Sequence, residues 1–230
     1  MIDRVRNTVL TLLNKENRGT IPPAEFNRLA GLAQRSIFED NFYHYNRYIN
    51  MQNQRMTNSE YSDIPKNIRE KIDVFADFSA LTNTATGVFE INATDVYRVI
   101  QLTYKDAIIE ETPKSIIAML KNDHYASPTE TYPLYTRFGS KFEVYPTTIE
   151  DNVNATYIRE PKQPKWTFLE VAGNPVYNPS ASDFQDIELH PSDETRLIIK
   201  ILGYCGITIR DPEVIQVAMN KETVKDNKEQ

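Results

Sequence analysis

The stretch PPAEFNRLAGLAQRSIFEDNFYHYNRYINMQNQRM, Pro22–Met56, decides the fold class. Pro22-Pro23 opens a helix, because the ring-fixed φ suits the first turn and the N–H that proline lacks would have no helical partner there. Glu25 falls in that first turn, at the positive end of the helix dipole. Phe26, Leu29, Ala30, Ala33, Ile37, Phe38, Phe42, Tyr45, Tyr48 and Ile49 then recur at three- and four-residue spacing. The spacing predicts one helix over 22–56, about 50 Å long. A compact chain of 230 residues is only about 45 Å across. Such a helix spans or overhangs its own globule and needs cover from several elements or from another subunit. Its second half, Phe42-Tyr43-His44-Tyr45 and Tyr48, carries aromatics on more than one face. An amphipathic helix packed only within its own chain needs a single apolar stripe. Phe42, Tyr43, Tyr45 and Tyr48 are therefore the candidate interface residues, with Phe42, Tyr45 and Tyr48 as anchors. The competing reading is core packing with some exposed tyrosine.

Outward from this helix the chain falls into three parts. Before it, Val5, Val9, Leu12 and Leu13 at helical spacing predict a first helix stopped at Asn17-Arg18-Gly19. After it, a polar break at 57–63 precedes a short helix opened by Pro65 and ending near Phe75. The middle is different in kind. Residues 87–91, 96–104, 107–111, 134–138, 141–145 and 153–159 are short, β-branched or aromatic runs separated by turn residues, and Arg137–Lys141 reads as a hairpin turn. Tyr97, Val99, Gln101 and Thr103 are expected to alternate as one half-buried strand. A short helix over 113–121 interrupts the strands. Pro161, Pro164, Pro175 and Pro179 restrict the stretch after Arg159 to extended or edge structure. Helix returns over 191–204, and Asp211-Pro212-Glu213 signals another start before a polar tail. The expected architecture is α+β: a helical bundle built as one connector domain from 1–75 and 190–230, with a β-rich, sandwich-like domain inserted at 76–189.

Composition narrows the chemistry. Forty per cent apolar residues with 24 aromatics exclude a disordered chain. Residues 1–75 carry a net charge of +2 and residues 76–230 a net of −8, together the −6 of the whole chain. That balance disfavours non-specific gripping of nucleic acid, while an acidic wall would let DNA pass. Arg28, Arg35, Arg47 and Arg55 lie along the long helix but drift around it, which reads as a solvated flank. One cysteine, Cys205, excludes an intramolecular disulfide and reads as a small buried hydrophobe. His44, His124 and His190 are far apart and outside any metal-ligand spacing, and no glycine-rich phosphate loop or nucleophile elbow occurs. Glu110 and Glu111 point to opposite faces of a strand, which disfavours paired-carboxylate catalysis. No enzyme activity, cofactor or metal is expected. No apolar run reaches membrane-spanning length and no targeting segment is read, so synthesis in the cytosol is expected. The triplets at Asn92 and Asn154 read as chance.

Three stretches together carry a resemblance: TIPPAEFNRLAGLAQRSIFEDNFYHYNRY (Thr20–Tyr48), YPTTIEDNVNATYIREPKQPKW (Tyr145–Trp166) and IELHPSDETRLIIKILGYCGITIRDPEVIQVA (Ile187–Ala218). In this order the chain resembles the ring proteins of crAss-like bacteriophages, which sit at the portal end of the tail. Pro22 departs from the Ser or Thr cap expected there. The resemblance implies a structural virion protein of the neck, made in the host cytoplasm. It implies assembly with itself into a closed, commonly twelvefold ring. It further implies contacts with the portal protein and with other tail or ring proteins, and passage of double-stranded DNA without sequence recognition. No catalytic residue is carried over. The polar C-terminal tail is the expected second docking element, ordered by a partner.

Two other classes stay open. A receptor- or glycan-binding virion component would use Tyr125, Tyr132, Tyr135 and Trp166 as stacking platforms, against the alternative of sheet packing. A cell-wall hydrolase is the third.

Overall fold

A computed structural model describes residues 1–15, 21–55, 64–105, 107–123, 125–209 and 220, with the backbone alone at 15, 48, 51–55, 64–65 and 207–209. The chain begins with helices α1 (Ile2–Lys15), α2 (Pro23–Arg55) and α3 (Ile64–Asp73). Strands β1 (Ala76–Ala80), β2 (Thr82–Ala85), β3 (Val88–Glu90), β4 (Val96–Tyr104) and β5 (Ala107–Glu111) come next. Helix α4 (Lys114–Leu120) leads to β6 (Leu134–Phe138), β7 (Lys141–Tyr145) and β8 (Val153–Arg159). A hairpin, β9 (Phe168–Val171) and β10 (Asn174–Tyr177), precedes a 3-10 turn at Pro191–Asp193 and α5 (Glu194–Ile209). The fold is α+β.

The chain divides into two compact units, Met1–Val74 with the chain from Pro161 onward, and Phe75–Glu160. The sequence expectation returned to the helical domain only at 190. Residues 161–189 instead sit with the helices, because α2 side chains hold their backbone and the Trp166 and Asp186 side chains bond Asp3, Met1 and Ile2. The β unit holds seven Lys/Arg and twelve Asp/Glu, so five of the six net negative charges lie in it.

In the helical unit, Ile2, Val5, Val9 and Leu13 of α1 form one buried stripe, and Leu12 beside it is exposed. The first turn of α2 closes with Phe26 N–H donating to the Pro22 carbonyl at 3.0 Å. Helix α2 packs against α3 and α5, and α1 against α5. The start of α5 lies at Asp40, whose carboxylate takes Arg196 at 3.0 Å and Lys200 at 3.2 Å. Further along α5, Leu197, Ile201 and Cys205 are buried. Lys71 at the end of α3 bonds the buried Asp193 at 3.0 Å. Apart from Asn220, the C-terminal helix expected from Asp211 and the tail fall outside the described residues.

The β unit is one sheet in the order β1-β8-β4-β5-β6-β7-β3-β2. It is not the two separate sheets that a sandwich implies. Strand β5 makes the corner: Ala107–Ile109 pair antiparallel with β4, and Glu110 and Glu111 pair parallel with β6. That parallel step requires a crossover, which α4 supplies. Both halves of the curled sheet feed one core, with Leu102, Tyr104, Val153 and Ala155 from one side and Phe89, Tyr135, Phe142 and Val144 from the other. The alternation expected along β4 is broken. Register shifts leave Tyr97 and Ile100 as extra, exposed residues. The bulge at Ile100 changes phase, so Val99 faces the core together with Leu102 and Tyr104.

Candidate interaction surface

The candidate residues lie on the far half of α2. Phe26, Leu29, Ala30, Ala33, Gln34, Ile37, Phe38 and Asn41 are buried, and no described side chain of α2 beyond Asn41 is. Phe42 is half-buried, edge-on to Phe38 with ring centroids 5.0 Å apart. Tyr43 is 64 % exposed and meets His44 edge-on at 5.8 Å. Tyr45 and Ile49 are half-buried, and the side chain of Tyr48 lies outside the described residues. Among the candidates whose side chains are described, Tyr43 therefore offers the most uncovered surface. Leu32, three turns earlier on the same face, is also exposed. Residues 42–55 contain Arg47 and Arg55 and no acid.

The near half of α2 is occupied by its own chain. The Asn27 amide brackets the Trp166 backbone, accepting from its N–H at 2.8 Å and donating to its carbonyl at 3.2 Å. Two turns on, Gln34 donates to the Lys162 carbonyl at 2.8 Å and accepts from Glu188 N–H at 2.9 Å. Gly31 lies between them, where a Cβ would come within 2.3 Å of the Gln163 amide nitrogen. Asn27, Gly31 and Gln34 thus form a seat for the extended strap 161–188.

Trp166 is the centre of that seat. Its indole N–H donates to Asp3 at 2.9 Å, and the Arg6 guanidinium stands 3.8 Å above its ring. Burial lowers the Arg6 pKa, with Asp3 opposing the shift. Phe168 and Tyr177 stack on Trp166, both with centroids at 5.8 Å. The base of the β9–β10 hairpin closes with Thr167 Oγ1 donating to the Asn178 carbonyl and Asn178 N–H returning to Thr167 at 2.9 Å. Nearby, Asp186 accepts from the Met1 ammonium at 2.8 Å and from Ile2 N–H at 2.7 Å. Burial pushes the Asp186 carboxyl upward, but the Met1 ammonium and the N–H groups of Ile2 and Ile187 outweigh it, leaving the pKa below 3.8.

The hairpin was missed in the sequence. Its signal was the turn Ala172-Gly173, both residues at positive φ (51° and 79°), the pattern of a two-residue type I′ turn. Leu169, Val171 and Val176 on it are exposed.

The four aromatic platforms do not form one group. Tyr125 is 96 % and Tyr132 79 % exposed in the crossover before β6. Tyr135 is buried, its hydroxyl donates to Glu111 at 3.2 Å, and burial together with that carboxylate pushes its pKa up to about 12. Trp166 is buried in the other unit. Cys205 is buried, and burial pushes its thiol up to about 12. His190 caps the 3-10 turn, its Nδ1 accepting from Ser192 N–H at 3.3 Å, and His124 falls outside the described residues. Among the described residues, no three His, Cys, Asp or Glu side chains could together hold a metal ion, and no helix is long and apolar enough to cross a membrane.

No protein-family model matches the chain, and no curated protein does.

Proposed function

We propose that this chain is a structural subunit of a virion neck, assembling with identical copies into a closed ring between portal and tail. One observation carries the reading: no described side chain of α2 beyond Asn41 is buried, yet the helix continues to Arg55. Those fourteen residues extend for about 21 Å without a buried side chain among those described. A surface of this kind, repeated around an axis, closes into a ring. The resemblance of three stretches to crAss-like phage ring proteins supports a twelvefold ring with portal and further tail or ring proteins as neighbours. In this reading the helical unit is the connector domain, and the acidic β unit suits a conduit that double-stranded DNA passes without being gripped. The role is structural and not enzymatic. Electron microscopy of the protein mixed with its portal tests it: rings seated on the portal are expected, and a persistent monomer that never binds the portal would sink the reading.

A second reading has its own observation. Tyr125 and Tyr132 stand out from a crossover held by turns at Asp123 and Thr129, where Asp123 accepts from Tyr125 N–H at 2.8 Å and Thr129 from Tyr132 N–H at 3.1 Å. An ordered loop that displays tyrosine is a recognition surface. Loss of host-cell or glycan-array binding on replacing both tyrosines with Ala would favour a receptor-binding component. No binding by the intact chain would remove it.

A further inference from the structure

We infer that Arg6 is a carboxylate-binding site, the Nη1–Nη2 end of its guanidinium receiving one carboxylate group from outside the chain. The inference is independent of the ring reading. Arg6 is 7 % exposed, and its guanidinium stands 3.8 Å from the centre of the Trp166 ring. Nε is buried and has no hydrogen-bond partner. Among the described residues no hydrogen bond or ion pair reaches Nη1 or Nη2 either, and both nitrogens keep contact with solvent. Arg4, two residues earlier on the same helix, has what Arg6 lacks: its Nε and Nη2 both donate to the Glu194 carboxylate. The exposed arginine is paired and the buried one is not.

Burial strips water from a cation that arginine does not give up. The face of Trp166 offsets part of that cost, but a ring face bonds none of the N–H groups, which point outward in the guanidinium plane. The acids nearby are committed elsewhere. Asp3 accepts from Trp166 Nε1 at 2.9 Å with one oxygen and from Asn7 Nδ2 at 3.1 Å with the other. Asp186 takes the Met1 ammonium and the N–H groups of Ile2 and Ile187. The missing partner must therefore be an acceptor brought in from solvent, in the plane of the fork. With Nε enclosed, only the Nη1–Nη2 end is open, and a carboxylate spans that end with two parallel bonds. Charge selects the same group. One carboxylate balances one guanidinium, whereas a phosphate dianion would bring a second negative charge towards Asp3, whose field Arg6 already feels.

Trp166 is the only tryptophan in the chain, so its fluorescence reports on Arg6 directly. The full chain is titrated with sodium acetate, with sodium chloride and inorganic phosphate at equal ionic strength as controls. Acetate should change Trp166 emission saturably and raise Tm, because a ligand held only by the folded state stabilises it. Chloride should do neither, and phosphate should act more weakly than acetate. Arg6→Met keeps an apolar stem over the ring and removes the charge. It should abolish the acetate response and leave Tm in acetate-free buffer at or above that of the parent. Arg6→Lys keeps the charge without the fork and should need several-fold more acetate, with circular dichroism checking the fold of both variants. A parent response that merely tracks chloride, or an acetate response that survives in Arg6→Met, would overturn the site. Arg6→Lys responding at the acetate concentration of the parent would overturn the forked contact. Small organic acids and the Asp or Glu side chains of a second copy carry the same group. Serial dilution without acetate separates these sources: emission that changes with protein concentration assigns the carboxylate to a second copy, and constant emission assigns it to a small acid.

Discussion

The two halves of α2 have comparable helix-forming character and opposite surroundings. From Pro23 to Asn41 the helix carries its described buried side chains, with Phe26, Ala30, Ala33, Ile37 and Phe38 no more than 2 % exposed, and holds the strap through Asn27 and Gln34. From Phe42 to Arg55 no described side chain is buried, although Phe42, Tyr43, Tyr45 and Ile49 are all apolar or amphipathic. Among the described side chains, full burial in the core is thus confined to the first part of the helix. Helix propensity and a good start extend the rod beyond the core that anchors it. Its far half is where packing inside the chain gives way to surface available for contacts between chains.

Truncating an aromatic in each half gives the sharpest contrast. Phe38→Ala removes a side chain that is 2 % exposed and should cost about 3–5 kcal/mol in urea or thermal unfolding. Tyr43→Ala, five residues on, should change monomer stability by less than about 0.5 kcal/mol while weakening assembly on the portal. Equal losses from the two would mean that the far half is packed within its own chain.

Asparagine allows the same comparison at constant chemistry. Asn27→Ala strands both the N–H and the carbonyl of Trp166 and should destabilise by about 1–3 kcal/mol. Asn46 is exposed, and Asn46→Ala should be neutral or stabilise by up to about 0.5 kcal/mol through helix propensity. Chemical denaturation of the two variants side by side reads the difference, and a neutral Asn27→Ala would show that the strap is held elsewhere.

Legibility in the sequence followed the same division. Strands β4 to β8 fell at the residues expected, because each has its own apolar rhythm and bounding turns. Strands β1 and β2 did not: ADFSA and TNTA have little apolar pattern and become strands by pairing with β8 and β3. The boundary at 160 was invisible because it rests on Asn27 and Gln34 binding the backbone of the strap, a contact more than 120 residues apart in sequence. The prolines of 161–179 read as extended or edge structure, and Pro175 sits in β10, an edge strand of a two-stranded hairpin, opposite Glu170. The length of α2 and its aromatics could be read from the sequence. Which of those aromatics are uncovered could not, since that depends on where α3 and α5 pack.

Acid should weaken the end of the unit that the near half organises. Asp186 has its pKa held below 3.8 in the folded chain. A carboxyl lowered in this way adds stability that is present above its unfolded pKa and is lost as pH falls through the folded value. Asp186→Ala should therefore cost about 1–2 kcal/mol near pH 7, a figure kept small because the carboxylate is partly exposed to solvent. The gap between variant and parent should close below about pH 4. A gap that persists unchanged to pH 2 would mean that the Asp186 side chain acts through packing and not through its charge.

The smallest effect is expected at the seat itself. Alanine at position 31 should gain up to about 1 kcal/mol from helix propensity. Against this, its Cβ would meet the Gln163 amide at 2.3 Å. That amide is the end of a rotatable side chain, which can swing away while Gln34 keeps its hold on the strap backbone at Lys162. The two terms nearly cancel, so Gly31→Ala should shift stability by less than about 0.5 kcal/mol. Gly31→Leu has no such escape, because the larger side chain must move the strap backbone as well, and it should be clearly destabilising. If Gly31→Ala instead delivers the full propensity gain, the Gln163 contact contributes nothing. If it costs more than about 1 kcal/mol, the strap is rigid against α2, and the near half of the helix is fixed by backbone contact as much as by its apolar stripe.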